Sequence, residues 1–240
     1  MPSTYLTLVN NVLNDINEVE LTSSDFAAAS GIHKKVKNAV NNSLREINSL
    51  HDNWPFNSST DTQLLTVGTV EYDFPSDYKT MDWLSFFIQD DSSLGVNNKT
   101  LRLIEKNDWY QYYRDLDNNA GADGRNVPDY VFHSHGRKYG ITPSPNQAYT
   151  VEFNYYTKFT PLSAYDDETT VYTEYDHVIQ LGALKHLNLF LDNPEQAAYI
   201  DKEEFKPALG AMRKQLINDD VYMRSTQIVR RAVKENGVTI

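Results

Sequence analysis

Cysteine is absent from the 240 residues. That excludes disulfides and thiolate metal sites, and it removes any argument for an oxidising compartment. Long apolar runs are missing too. Nothing approaches the roughly 18 consecutive apolar residues of a membrane span, so no membrane partner is expected. Met1-Pro2-Ser3-Thr4-Tyr5 lacks the basic and apolar regions of a secretory leader, and synthesis in a reducing cytoplasm is the expectation. Catalytic signatures are also wanting: there is no G-x-S-x-G, no Walker A and no G-x-G-x-x-G. Carboxylate pairs such as Asp166-Asp167 lie in a polar stretch, where solvated charge is the simple reading. Neither an enzyme nor a cofactor is expected.

Positive charge is scarce. Lys and Arg number 22 against 33 Asp and Glu, a net charge of −11 spread along the whole length. Domains that grip nucleic acid are typically basic, because neutralising phosphates supplies most of their affinity. This chain should repel DNA unless a local patch overrides the average. One candidate patch lies in residues 221–240, where Arg224, Arg230, Arg231 and Lys234 face a single Glu235. A solvated C-terminal helix is the plain reading, and a basic arm that docks on an acidic partner is the sharper one.

The chain has two helix-forming ends around a tyrosine-rich, turn-studded middle. Val9, Val12, Leu13 and Ile16 recur at helical spacing over residues 4–19, with Ser3 or Thr4 as cap. A second stripe of Val36, Val40, Leu44, Ile47 and Leu50 predicts an amphipathic helix over 32–51. Trp54-Pro55-Phe56 ends it, since proline disfavours a helical Trp54. Trp54 and Phe56 are expected to plug the junction of the helical and β parts. After residue 173, Val178, Leu181, Leu184, Leu187 and Leu191 mark a third helix, and Pro194 suits the first turn of a fourth. Pro207 predicts a kink within that fourth helix.

Between these ends the pattern is β-like. Residues 63–67 and 70–74 read as a hairpin about Gly68-Thr69, and 81–88 and 100–104 read as further strands. Residues 107–113 suggest a short helix leading into a loop over 115–126. Residues 130–133 pair with 139–141, and Pro143-Ser144-Pro145-Asn146 is a turn. Tyr149, Val151, Phe153 and Tyr155 then alternate with Thr150, Glu152, Asn154 and Tyr156, the cleanest period-two strand in the chain. The expected class is α+β: a helical bundle built from residues 1–53 and 174–240, with an antiparallel β-sandwich or barrel inserted over 54–173.

Chemical candidates in the middle are weak. His133 and His135 lie two apart but lack further ligands. Asp115-x-Asp117-x-Asn119 resembles the opening of a calcium loop, yet its glycine falls late and Asn126 stands where the closing glutamate belongs. No metal site is expected. Sixteen tyrosines exceed the needs of one small β core, so some should be half exposed to carbohydrate or to another subunit.

Several segments in order carry a resemblance. They are Ala39-Val40-Asn41-Asn42-Ser43-Leu44-Arg45-Glu46-Ile47, Asn53-Trp54-Pro55-Phe56, Gly68-x-x-x-Tyr72-x-x-Pro75, Ile141-Thr142-Pro143-x-Pro145 with the Tyr-rich strand, and Tyr175-Asp176-His177-Val178-Ile179 leading into Leu181-Gly182-Ala183-Leu184. Each is weak alone; their order and spacing resemble the head-to-tail adaptors of short-tailed bacteriophages, the tail tubular protein A type. The resemblance implies a virion structural protein, made in the host cytoplasm and seated in the neck. It implies a homo-oligomer, usually a twelve-copy ring, between the portal protein and the tail nozzle protein, with tail fibres as a further contact. DNA would pass through the lumen without specific binding, and an acidic lumen would suit that passage. Such adaptors can reach the portal by a C-terminal arm, which makes Arg224, Arg230, Arg231 and Lys234 the candidate contact. The 115–125 loop departs from the pattern. A carbohydrate- or receptor-binding tail accessory protein, stacking sugars on Trp83, Trp109 and tyrosines, is the alternative.

Overall fold

The computed structural model describes residues 2–93, 95–118 and 124–217. The chain forms two compact units, Met1–Phe56 with Phe159–Ile240, and Asn57–Lys158. The class is α+β, as the alternation of patterns implied. In the first unit, α1 (Tyr5–Asp15) starts at Thr4, whose hydroxyl accepts from the Thr7 N–H, and buries Leu8, Val9, Val12 and Leu13. It stops four residues short of the predicted end. Asn17 takes φ +57°, a left-handed conformation that asparagine tolerates and that closes a helix. Helix α2 (Gly31–Leu50) buries Val36, Val40, Leu44 and Ile47, while Leu50, assigned to the same stripe, is 56% exposed in the last turn.

Among the described residues, nine strands build the second unit: β1 (Ser58–Leu64), β2 (Glu71–Asp73), β3 (Tyr78–Met81), β4 (Phe87–Ile88), β5 (Lys99–Thr100), β6 (Arg102–Leu103), β7 (Tyr130–His133), β8 (Lys138–Thr142) and β9 (Thr150–Thr157). Before β7 the chain forms α3 (Lys106–Asp108), a π-helical turn over Trp109–Tyr113, and α4 (Arg114–Asn118). One sheet has the order β1-β9-β4-β5, with β3 also on β9; the other has the order β2-β8-β7-β6. Tyr72, Val131, Tyr139 and Ile141 from one sheet and Met81, Ile88, Val151 and Phe153 from the other enter a single apolar cluster. The alternation predicted for β9 is present, with Tyr149, Val151, Phe153 and Tyr155 buried.

The other strands depart from expectation in instructive ways. The hairpin about Gly68 does not form: β1 pairs with β9 and β2 with β8, so the two runs lie in different sheets. Gly68 still turns the chain, at φ +74°, with the Arg125 guanidinium filling the space a side chain would need. The run 100–104 divides at buried Leu101, β5 joining one sheet and β6 the other, where β6 runs parallel to β7. The run 81–88 likewise divides into the end of β3, a turn and β4. Residues 115–118, read as loop, are helical.

The chain then returns to the helical unit. Phe159 and Leu162 pack against its core and Val171 lies within it. Asn41 fixes this stretch by exchanging two hydrogen bonds of 2.9 Å with the Leu162 backbone. Residues 159–173, counted from the sequence with the β insert, therefore belong with the helices. Helix α5 (Asp176–Phe190) is followed by α6 (Pro194–Tyr199), a π-helical segment Ile200–Phe205, and α7 (Lys206–Leu216). Asn193 caps α6 and Pro194 takes its first turn. The interruption expected from Pro207 is the π segment; the proline ring opposes the carbonyl of Glu203, four residues back, inside it.

Helix α5 buries only part of its predicted stripe. Val178 and Leu187 are buried as expected, together with Ile179, Gly182 and Ala183, while Leu181 and Leu184 are only partly buried and Leu191 is about half exposed. Ser43 donates to the Ile179 carbonyl at 2.9 Å, which requires close approach at Gly182. A methyl group on Gly182 would overlap Ser43 Oγ and press on Phe205. Gly182→Ala should therefore destabilise the fold by about 1–3 kcal/mol, the usual cost of overpacking, despite alanine's better helix propensity. Urea unfolding with a midpoint equal to or above wild type would contradict this packing.

Candidate functional site

Among the described residues no group of three or more His, Asp or Glu side chains is placed to hold a metal ion. His133 ends β7, stacks on Phe74 and meets Trp83 edge-on, while His135 lies beyond the strand against Lys106. Asp117, read as a calcium-loop position, is buried and accepts three hydrogen bonds: from Trp109 Nε1 (2.8 Å), the Thr142 hydroxyl (2.7 Å) and the Ser144 N–H (2.7 Å). It ties the helical excursion after β6 to the turn after β8. Trp109 is held by that bond and stacked on Phe132, and Trp83 lies on Phe86 and Phe74. Trp109 is buried, while Trp83 is only partly so.

Trp54 and Phe56 sit in the core of the helical unit. The Trp54 indole donates to the Ile47 carbonyl at 2.8 Å, and the two rings stack with centroids 5.3 Å apart. Arg224, Arg230, Arg231 and Lys234 lie outside the described residues. Tyrosines divide as composition suggested: Tyr5, Tyr72, Tyr139, Tyr149, Tyr155 and Tyr175 are buried, while Tyr110, Tyr112, Tyr165, Tyr172 and Tyr199 are exposed.

The most organised group of charges was not singled out by sequence reasoning. Lys185, 7% exposed, donates to both carboxylate oxygens of Glu46 at 2.6 Å and to Asp201 Oδ1 at 3.2 Å. Its ammonium lies 4.5 Å over the Phe205 ring. His186 Nε2 is 2.9 Å from Glu46, and Lys206 closes on Asp201 at 2.6 Å. A shallow groove of about 420 Å³ runs over the group, walled also by Leu189, Pro194 and Ala198. Burial opposes ionisation of Asp201, but hydrogen bonds from Lys206 and Lys185 outweigh it and hold its pKa below the ordinary carboxylate value. The cations are matched by carboxylates, so the cluster offers no free nucleophile. It fastens α2, α5 and the π segment in register. A lone lysine in a leucine-rich helix was the available signal, and periodicity reads such a residue as surface.

A family model described as SU10 adaptor protein matches residues 3–231, nearly the whole chain. No curated protein matches it.

His186 makes the cluster sensitive to acid. Burial first, then the Lys185 charge, holds the imidazole below its ordinary 6.5, against the pull of Glu46. The unfolded chain thus binds a proton that the folded one resists. Stability should fall as pH drops through 6.5 and level off once the folded imidazole is protonated. His186→Gln should flatten this slope in thermal melts across that range; an equally steep slope in the variant would remove His186 as its source.

Proposed function

The chain belongs to the SU10 adaptor family, structural proteins of the phage virion and not an enzyme class, and from that membership we propose that it is a ring-forming head-to-tail adaptor. Copies of it, twelve in the reading we favour, sit between the portal and the tail nozzle and continue the channel through which DNA is ejected from a short-tailed particle. The match over residues 3–231 carries this reading. The order helix, β insert, helix and the absence of a metal cluster among the described residues support it. So does the charge of −11, since a conduit must release the DNA it passes and an acidic wall repels phosphate.

Within this role the helical unit is the body that meets neighbouring copies and the portal. The β unit, two sheets closed as a sandwich, projects toward the nozzle and fibres. Trp54 and Phe56 stiffen the point where the body gives way to the insert, and Arg224, Arg230, Arg231 and Lys234 form the arm that reaches the portal. Cryo-electron micrographs of the parent particle, averaged at the neck, test the whole reading. A ring below the portal that fits this chain is the expected result, and a neck built wholly from other chains overturns it. The arm has its own test. Removing residues after Val221 should leave the subunit folded but abolish stable attachment to the portal, and unchanged attachment would sink the assignment.

A further inference from the structure

Helix α2 is unusual in an acidic chain. Its apolar stripe faces the core, and Glu46, its one carboxylate, is spent on Lys185 and His186. The solvent face is left with Lys34, Lys35 and Arg45, separated by Asn38 and Asn42. At 1.5 Å per residue the strip from Lys34 to Arg45 is about 17 Å long. All three cations are exposed, and none of them is ion-paired among the described residues. Arg45 is held by Asn42 at 2.8 Å, and Glu20 of the preceding connection bonds to Asn14 instead.

The same unit presents a surface of opposite sign. Glu195 on α6 and Glu203 and Glu204 on the π segment follow Asp192 of the preceding connection, with Lys202 already paired to Glu203 at 3.1 Å. Tyr199, 54% exposed, lies four residues from both Glu195 and Glu203 and so on their side of the helix. Glu46 lies one turn beyond Asn42, at the edge of the strip, where Lys185 and Asp201 cover it, while Lys34, Lys35 and Arg45 stay exposed.

We propose that these two surfaces meet between neighbouring copies: the cationic face of α2 in one subunit against the acidic Glu195–Glu204 surface of the next. This deepens the adaptor reading and rests on it. The two surfaces differ, so the contact is head-to-tail, the kind that closes rings when its rotation closes. Subunits of charge −11 repel one another on approach, and only a local match of opposite signs reverses that at contact. DNA is the competing partner for lysines and arginine. Three cations supply few phosphate contacts, while the rest of the chain repels the polymer.

The cysteine-free chain makes the contact directly trappable. Full-length protein with Lys35 or Arg45 and, on the other surface, Glu195 or Glu203 replaced by cysteine is incorporated into particles and oxidised. A ladder of disulfide-linked multimers is expected from at least one pairing, and no ladder beyond dimer from any single replacement. Particles that contain the chain but yield no ladder from any pairing overturn the contact and leave the adaptor reading standing. Absence of the wild-type chain from the neck overturns both.

Charge reversal supplies the second arm. Lys34→Glu with Lys35→Glu should lower incorporation roughly tenfold, and adding Glu203→Lys with Glu204→Lys should restore it. Failure of that restoration counts against the pairing. Duplex DNA binding by the wild-type chain, lost in the Lys34→Glu, Lys35→Glu protein and without a ladder, would assign the face to nucleic acid instead.

Discussion

Antiparallel pairing of β1 with β9 is the constraint on which the rest depends. The first and last strands of the insert run in register from Ser58 opposite Tyr156 to Leu64 opposite Thr150. The chain therefore leaves and re-enters the helical unit at positions about 5 Å apart, although Ser58 and Tyr156 are 98 positions apart in sequence. A flexible loop of that length would impose a closure cost on every contact between α2 and α5. A sheet that starts and ends at one place removes most of it. β9 serves as the hub because its alternate residues, Val151, Phe153 and Tyr155, reach the core while its backbone serves β1 on one edge and β3 and β4 on the other.

Once the ends are brought together, two different contacts make the helical unit specific. Gly182 lets α5 come close enough for Ser43 to reach the Ile179 carbonyl, a fit set by shape. A few residues further along both helices, Glu46 and Lys185 meet, a fit set by charge. A buried ion pair contributes little net stability, because desolvation offsets most of the attraction. Shifting α2 by a turn, however, would take Glu46 away from buried Lys185 and leave it only the longer bond to Asp201. The cluster therefore selects a register more than it adds strength, and His186 and Asp201 extend that selection to the segment after α6.

The sequence made elements legible where a single face decides the pattern. The stripes of α1 and α2, the Thr4 cap, the Asn193-Pro194 start, the interruption near Pro207 and the alternation of β9 all fall in that class. Polar β1 was invisible because Ser58, Ser59, Thr60, Asp61 and Thr62 contribute backbone pairing and almost no apolar side chain; its partner, not its composition, makes it a strand. The supposed hairpin at Gly68 failed for the same reason: a turn residue reports a change of direction and says nothing about which strand waits on the other side. Asp117 and Lys185 were unreadable as anchors, since a charged residue reads as solvated until the donors or carboxylates that surround it are placed. The family resemblance rested on the order of short segments, and the family match extends over that same order from residue 3 to residue 231.

Charge acts on this protein at two ranges, and they oppose each other. At physiological ionic strength fields fade over about 8 Å. The total of −11 therefore governs encounter and not contact. On the proposed adaptor reading it would discourage DNA and hold identical subunits apart until faces are close. Within contact distance the arrangement of charge decides, and this chain arranges it unevenly: its carboxylates exceed its cations overall, yet α2 turns only cations outward. An evenly acidic surface would satisfy a conduit's need to release DNA but would leave nothing to join one copy to another. In the proposed ring, separating the signs onto different faces of one unit would allow both, because the repulsion would act on a polymer that must slide and the attraction on a neighbour that must stay.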